Sequence, residues 1–404
     1  MMPALEIVFW IAAGLIVWTQ VGDAFALRVL VSLMPERVPS ESPEDALVPV
    51  AAGAPGAGPE SAESASKDAE SLPRVSLIVA AHNEQEVIGA KVANALALAY
   101  PRERLEIIVS CDGCTDATAA RARDAGADLV LELPRGGKIR AQDAAVEAAR
   151  GEIVAFSDAN CTWDRFALRA LLGAFEDPGV GYACGQVAYL ERDGDSQEGV
   201  YWRYELGLRA LESRVHSITG GNGGIYATRR EDYIVVDPIM GHDLSFPFNM
   251  VKRGRRAVYV PVAVANEKMV PSIEGEFARK RRMMGHTWPI VLRGGMLSPR
   301  GYPPVYLFMI ISHRALRYAT PLLHVIALAA NVVLVAEGAG IVLRVTLWIQ
   351  GAVIAAFVLG DFIPLRPLLI VRHYVLSTAA VALGLWDWLR HGTDAAWQAA
   401  EGTR

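Results

Sequence analysis

Long apolar runs sit at both ends of this chain, and they constrain it more than any other feature. Residues 4–22 read ALEIVFWIAAGLIVWTQVG, with one acid near the start and no base. About 19 helical residues suffice to cross a hydrocarbon layer of roughly 30 Å. A cleaved leader needs a positively charged start, which MMPALE lacks, so residues 4–33 read as a retained anchor. Arg28 and Arg37 follow the apolar run, and the positive-inside rule then puts its C-terminal end in the cytoplasm. At the other end, residues 303–390 carry three further spans, at about 316–336, 343–363 and 368–388, with breaks at 337–340 and 364–367. Arg372 and His373 lie in the first turns of the last one, which either snorkels to the interface or lies in its plane. Buried helices of a soluble protein are the alternative, but three long apolar runs joined by very short loops weigh against it. A multi-pass protein of the cell (inner) membrane is expected, with the middle of the chain in the cytoplasm.

Residues 39–73 are dominated by Ala, Pro, Gly, Ser and Glu. Such a stretch buries too little apolar surface to offset its ordering entropy and reads as a tether. The net charge of -5 over 404 residues gives no basic footprint, so nucleic acid is not an expected partner. Four cysteines in so long a chain, at Cys111, Cys114, Cys161 and Cys184, do not make a disulfide scaffold. Cys111 and Cys114 form a CxxC, but no second CxxC or HxxxH follows to complete a zinc site, and small buried hydrophobes are the better reading.

The region between the membrane segments has another pattern. Residues 75–81, 105–111, 128–133 and 152–157 are short runs rich in Val and Ile, each followed by residues at helical spacing; 84–98 is one such helix. This predicts an α/β domain with a mainly parallel sheet flanked by helices. Ligands of such sheets bind beyond the carboxyl ends of the strands. The residues found there are His82, Asn83 and Glu84, then Asp112, Gly113, Thr115 and Asp116, then Gly136, Gly137 and Lys138, then Asp158 and Asn160. Asp116 alone could be a helix cap and the glycine pair alone a turn, but all four groups share one rim. No GxGxxG or GxxxxGK[ST] is present, so neither a dinucleotide fold nor a P-loop is indicated. Two acids and a lysine on one rim suit a metal-bridged diphosphate, with Mg²⁺ or Mn²⁺ on carboxylate oxygens.

These motifs together resemble the family 2 glycosyltransferases, inverting enzymes with the fold called GT-A, and among them membrane-embedded synthases of poly-N-acetylglucosamine, hyaluronan and cellulose. The AHNE of 81–84, the CDGCTD of 111–116, Gly137-Lys138 and the FSDAN of 156–160 are similar to that family's successive strand-end motifs. The resemblance implies a GT-A domain over 74–275 and a nucleotide-sugar bound by His82, Glu84, Asp112, Lys138 and Asp158. It implies a metal on Asp158 and Asn160, with Asn160 standing where a second Asp is usual. The TGGNGGIYATRR of 219–230 resembles the family's acceptor-side segment, so Asn222 and Gly223 are expected against the acceptor. In GHDLSFPFNMVKRG (241–254), Asp243 matches the catalytic base, and His242 replaces the acid usually before it; a helix-capping role for Asp243 is the alternative.

The run EFARKRRMMGHTW sits where relatives carry Gln-x-x-Arg-Trp, and Arg282 matches the arginine that meets the diphosphate. Residues 276–295 are expected to form an amphipathic helix at the membrane surface, with Arg279, Lys280 and Arg281 facing anionic lipid. The resemblance thus implies transfer of a sugar, UDP-linked, to a lipid-linked or polysaccharide acceptor. A non-catalytic nucleotide-sugar sensor or assembly partner is the alternative that the substituted Asn160, His242 and Met283 raise.

Overall fold

The computed structural model describes residues 2–34, 72–190, 197–268 and 273–395. The tether at 39–73 therefore lies almost entirely outside the described residues.

Helix α1 (Met2–Leu33) leads to a central α/β domain. Its elements are β1 (Val75–Ala81), α2 (Ile88–Leu96), β2 (Leu105–Asp112), α3 (Thr118–Asp124), β3 (Leu129–Leu133), α4 (Lys138–Ala148) and β4 (Ile153–Asp158). Then follow β5 (Thr162–Trp163), α5 (Ala167–Gly173), β6 (Val180–Leu190), α6 (Gln197–Val215), β7 (Tyr226–Arg229), α7 (His242–Lys252) and β8 (Arg256–Lys268). The chain continues into α8 (Ile273–Leu292), α9 (Pro304–Ala336), α10 (Ile341–Leu359) and α11 (Arg366–His391).

The eight strands form one sheet in the order β3-β2-β1-β4-β7-β6-β8-β5. The four strands expected from the apolar runs are all present, and β3-β2-β1-β4 is parallel throughout. Beyond β4 the sheet becomes mixed: β7 is antiparallel to β4 and β6, β8 is parallel to β6, and β5 is antiparallel to β8. The expectation of a mainly parallel sheet thus describes one half. The other half has partly exposed strands without continuous apolar runs, which the sequence pattern does not flag.

Every residue of β1 and β2 is buried. Alternate side chains serve opposite faces, as the pleat requires. Leu77, Ile107 and Ala155 pack with Trp163, Leu168 and Phe175 on one side, and Ile78, Ile108 and Phe156 pack with Val146, Tyr226 and Phe246 on the other. Parallel pairing of Ala80 with Asp158 and of Ala81 with Cys111 brings the strand ends to one rim. The first helix starts at Ile88, later than residue 84. Asn83 adopts a left-handed φ of 53°, which Asn tolerates better than most residues, and its Oδ1 accepts the Thr115 N–H at 2.9 Å. That bond ties the AHNE and CDGCTD turns together before the helix begins.

Among the described residues, four helices are long and apolar enough to cross a membrane, one near the N-terminus and three C-terminal. The first of the three C-terminal spans starts at Pro304, twelve residues before the expected 316, because the polar Ser312, His313 and Arg314 interrupt the apolar run without ending the helix; a π-turn over Ile310–Ala315 carries them. Helix α1 packs on α9 through Phe9, Ala12, Ala327 and Leu334. A second apolar cluster, including Leu27, Leu208, Phe248, Trp288, Tyr306 and Trp388, joins the α/β domain to the membrane helices.

Candidate active site

The rim of the parallel strands and helices α6, α8 and α9 line a chamber of about 710 Å³. Glu84, Lys138, Asp158, Asn160, Asn222, Gly223, Asp243 and Arg282 all line it, so eight of the ten expected site residues meet in one space. His82 and Asp112 are not among its lining residues.

Asp112 is 3% exposed, and its carboxylate organises the loop after β3. It accepts the Gly136 N–H at 2.6 Å and the Gly137 N–H at 3.0 Å, and pairs with Arg135 at 3.2 Å. Gly137 needs its φ of +95°, and a Cβ there would overlap the Ala395 carbonyl. His82 Nδ1 lies 2.7 Å from the Asp112 carbonyl oxygen. This turn delivers Lys138, whose ammonium pairs with Asp158. Burial alone would lower the Lys138 pKa, but the Asp158 carboxylate, with Asp243 farther off, raises it on balance. Asp116 accepts the Thr118 N–H at 3.0 Å and the Gln85 N–H at 3.2 Å, the structural role anticipated as its alternative.

Asn160 Nδ2 donates to Glu267 Oε1 at 3.0 Å. Glu267, near the end of β8, was not anticipated from the sequence. It lines the same chamber, and burial followed by the nearby Asp158 carboxylate raises its pKa. Two carboxylates close together in a half-buried corner are a situation a divalent cation relieves. The described residues contain no group of three or more His, Cys, Asp and Glu able to enclose a metal. A cation here would complete its shell with substrate oxygens, as Mg²⁺ commonly does.

The glycine-rich segment lines the same chamber. The Asn222 amide is fully engaged in shaping it: Nδ2 donates to the Gly185 carbonyl at 2.7 Å, and Oδ1 accepts the Gly224 and Ile225 N–H groups at 3.1 and 2.9 Å. Gly223 faces the Lys138–Asp158 pair rather than the membrane side; a Cβ there would lie 3.3 Å from Lys138 Nζ. The Gly221 N–H donates to the Asp243 carbonyl at 2.6 Å, which fixes Asp243 at the start of α7. The side chain of Asp243 makes no capping bond, since the cap of α7 is Gly241 without a side-chain partner. Its carboxylate lines the chamber. His242 beside it is buried, stacks on Phe246, and its Nδ1 lies 2.8 Å from the Tyr226 hydroxyl. Burial, with Lys138 nearby, pushes its pKa down to about 3, so it is neutral and takes no cationic role.

On α8 the four cations behave differently from one another. Arg279 forms two bonds of 2.7 Å to Glu276, Arg281 two of 2.6 and 2.7 Å to Asp387, and Lys280 reaches His373 and Ser377 on α11. The three residues expected to face lipid headgroups are thus engaged within the protein. Arg282 lines the chamber and has no ion-pair partner among the described residues; burial and Arg279 lower its pKa. All four cysteines are free, three of them buried.

Residues 76–234 match the family model described as Glycosyl transferase family 2. The chain is 28% identical over 236 residues to a beta-monoglucosyldiacylglycerol synthase of Synechocystis sp., covering 53% of this chain and 42% of that one. It is 30% identical over 128 residues to the probable glycosyltransferase YdaM of Bacillus subtilis, covering 30% of each. The chain therefore spans less than half the length of these relatives. Among solved structures, it is similar to the mannosyltransferase PcManGT from Pyrobaculum calidifontis, in complex with GDP-Man and Mn²⁺, with a TM-score of 0.66 and 21% identity over 96% of this chain and 99% of that one. At that identity the likeness speaks for a shared GT-A-like fold.

Proposed function

Taking residues 76–234 as a glycosyl transferase family 2 domain set among membrane helices, we propose that this chain transfers a sugar from a nucleotide-sugar, UDP-linked, to a lipid-linked or polysaccharide acceptor with inversion. The observation that carries the reading is the chamber itself. It puts the Lys138–Asp158 pair, Arg282 and Asp243, a carboxylate without a side-chain bond among the described residues, around one space that also touches the candidate membrane-spanning helices.

In this reading the diphosphate lies between Lys138 and Arg282, and Asp243 faces the acceptor hydroxyl. Asp243 takes the hydroxyl proton as the new C–O bond forms and the bond from the anomeric carbon to the diphosphate breaks. Lys138 and Arg282 are fixed positive charges aimed at the leaving group, and need no reorganisation as its charge grows. Asp158, Glu267 and Asn160 would hold a Mg²⁺ or Mn²⁺, which supplies further charge neutralisation at the diphosphate when bound. Asp112 acts through the 135–138 loop it ties down, and His82 through Asp112, on the nucleoside side. Gly223 leaves room for the donor, and Asn222 holds that segment in shape. The relative named a beta-monoglucosyldiacylglycerol synthase supports a lipid acceptor. Arg28 supports a cytoplasmic α/β domain in a multi-pass protein of the cell membrane.

Asp243→Asn should reduce transfer by roughly 10²–10⁴-fold, the usual worth of a general base, while UDP binding by calorimetry is unchanged. Near-normal turnover in that variant would sink the assignment. Wild-type protein that binds UDP yet never consumes a labelled UDP-sugar would favour the sensor reading instead.

A further inference from the structure

Beside the glycine-rich segment the chamber holds two guanidinium groups, one buried and one half-buried, that the donor chemistry does not use. Arg209 on α6 is 7% exposed. Its Nη2 donates to the Gly221 carbonyl at 3.1 Å, while the buried Nη1 has no partner among the described residues. Trp202 and Tyr259 hold the group from two sides, with ring centroids 5.9 and 5.6 Å away. Arg314 arrives from α9 on the π-turn, a local widening that turns side chains out of helical register. Its Nε donates to Thr219 Oγ1 at 2.8 Å, and its Nη2 lies so close over Gly220 that a Cβ there would overlap it.

Two of the nearby acids are already engaged. Glu205 pairs with Arg317, and Glu212 takes His313 Nδ1 at 2.6 Å. Among the described residues no carboxylate forms an ion pair with Arg209 or Arg314. A buried guanidinium with an unpartnered Nη1, as on Arg209, is costly unless an anion or other acceptor joins it, and Arg314 adds a second cation beside it. Paired guanidinium forks suit the oxygens of a phosphate. The walls beyond them come from α8, α9 and α11, with Met283, Tyr318 and Val381, which suits an apolar tail.

We propose that Arg209 and Arg314 form an anion subsite for the acceptor, and that the acceptor is a membrane lipid with a phosphate in its headgroup. This rests on the glycosyltransferase reading and narrows it. The phosphate is held at Arg209 and Arg314, and the lipid's hydroxyl reaches Asp243 in the same chamber. The hydroxyl oxygen bonds to the anomeric carbon, its proton passes to Asp243, and the nucleoside diphosphate leaves.

The test uses the full chain in dodecyl maltoside micelles, titrated with dioleoyl phosphatidylglycerol, dioleoylglycerol or inorganic phosphate. The two lipids share tails and a hydroxyl and differ in the phosphate. Phosphatidylglycerol should bind about tenfold tighter or more, the scale of one charge-assisted hydrogen bond. Arg209→Gln and Arg314→Gln should each abolish that preference, and Arg209→Lys should keep part of it. Gly220→Ala, which displaces Arg314, should act like Arg314→Gln and decides the matter if that variant fails to fold. Titration with UDP and Mn²⁺ runs in parallel: retained binding in the variants reports an intact fold, and no binding in wild type would overturn the donor reading while leaving the lipid preference measurable. Equal affinity for the two lipids, or an undiminished preference in Arg209→Gln, would overturn the proposal. Inorganic phosphate binding as tightly as the lipid would overturn the lipid assignment.

Discussion

The two sides of the chamber are built on opposite electrostatic plans. On the side of β1–β4 the polar groups are matched within the protein: Asp112 holds Arg135 and two glycine N–H groups, Lys138 holds Asp158, and Asn160 holds Glu267. On the side of α6, α7, α8 and α9, Asp243, Arg282, Arg209 and Arg314 have no ion-pair partner among the described residues. The first side is a preformed cradle that a ligand enters by exchanging partners. The second is charged in advance of its ligand, and its charges make sense only with donor, acceptor or both in place.

Acid should break the second side first. The folded pKa of His242 lies near 3, below its ordinary 6.5, so the unfolded chain binds more protons between those values. Stability is therefore complete above pH 6.5 and falls as pH drops from 6.5 toward 3, by up to several kcal/mol at about 1.4 kcal/mol per unit. Thermal unfolding followed across that window should show the slope, and His242→Asn should flatten it. On the first side, Asp158→Ala should weaken Mn²⁺-dependent UDP binding by roughly 10–100-fold, read by calorimetry, because it removes a metal carboxylate and strands Lys138. Gly223→Ala sharpens the boundary between the sides. Its Cβ would press on Lys138 Nζ at 3.3 Å, so UDP affinity should fall severalfold while the lipid titrations stay unchanged. The smallest effect belongs to Arg281→Ala. That pair with Asp387 is 42% and 33% exposed, and its loss should change unfolding stability by about 1 kcal/mol or less.

The two sides were also unequally legible. The parallel strands announced themselves as continuous apolar runs, and motif residues follow each of them, so the rim could be drawn before any coordinates. Asp112 is the instructive residue there. Its position at a strand end is visible in the sequence, but whether its carboxylate faces ligand or its own loop depends on the Gly136–Gly137 turn folding back over it. Glu267 was missed because it lies 107 residues from Asn160 and belongs to no motif; an acid near the end of an apolar run was the available signal. Arg209 and Arg314 were invisible for a related reason. One sits in a helix with no marked amphipathic pattern, the other two residues ahead of the apolar run that begins at about 316. Both acquire meaning only when the membrane helices dock on α6.

The most direct measurement follows a labelled sugar in native membranes expressing wild type or Asp243→Asn, across a panel of nucleotide-sugars, with mass spectrometry of the extracted lipids. The account predicts one donor whose label enters a phosphate-bearing lipid in wild-type membranes and not in the variant. Label appearing equally in both, or no label transferred from any donor while UDP still binds, would contradict it.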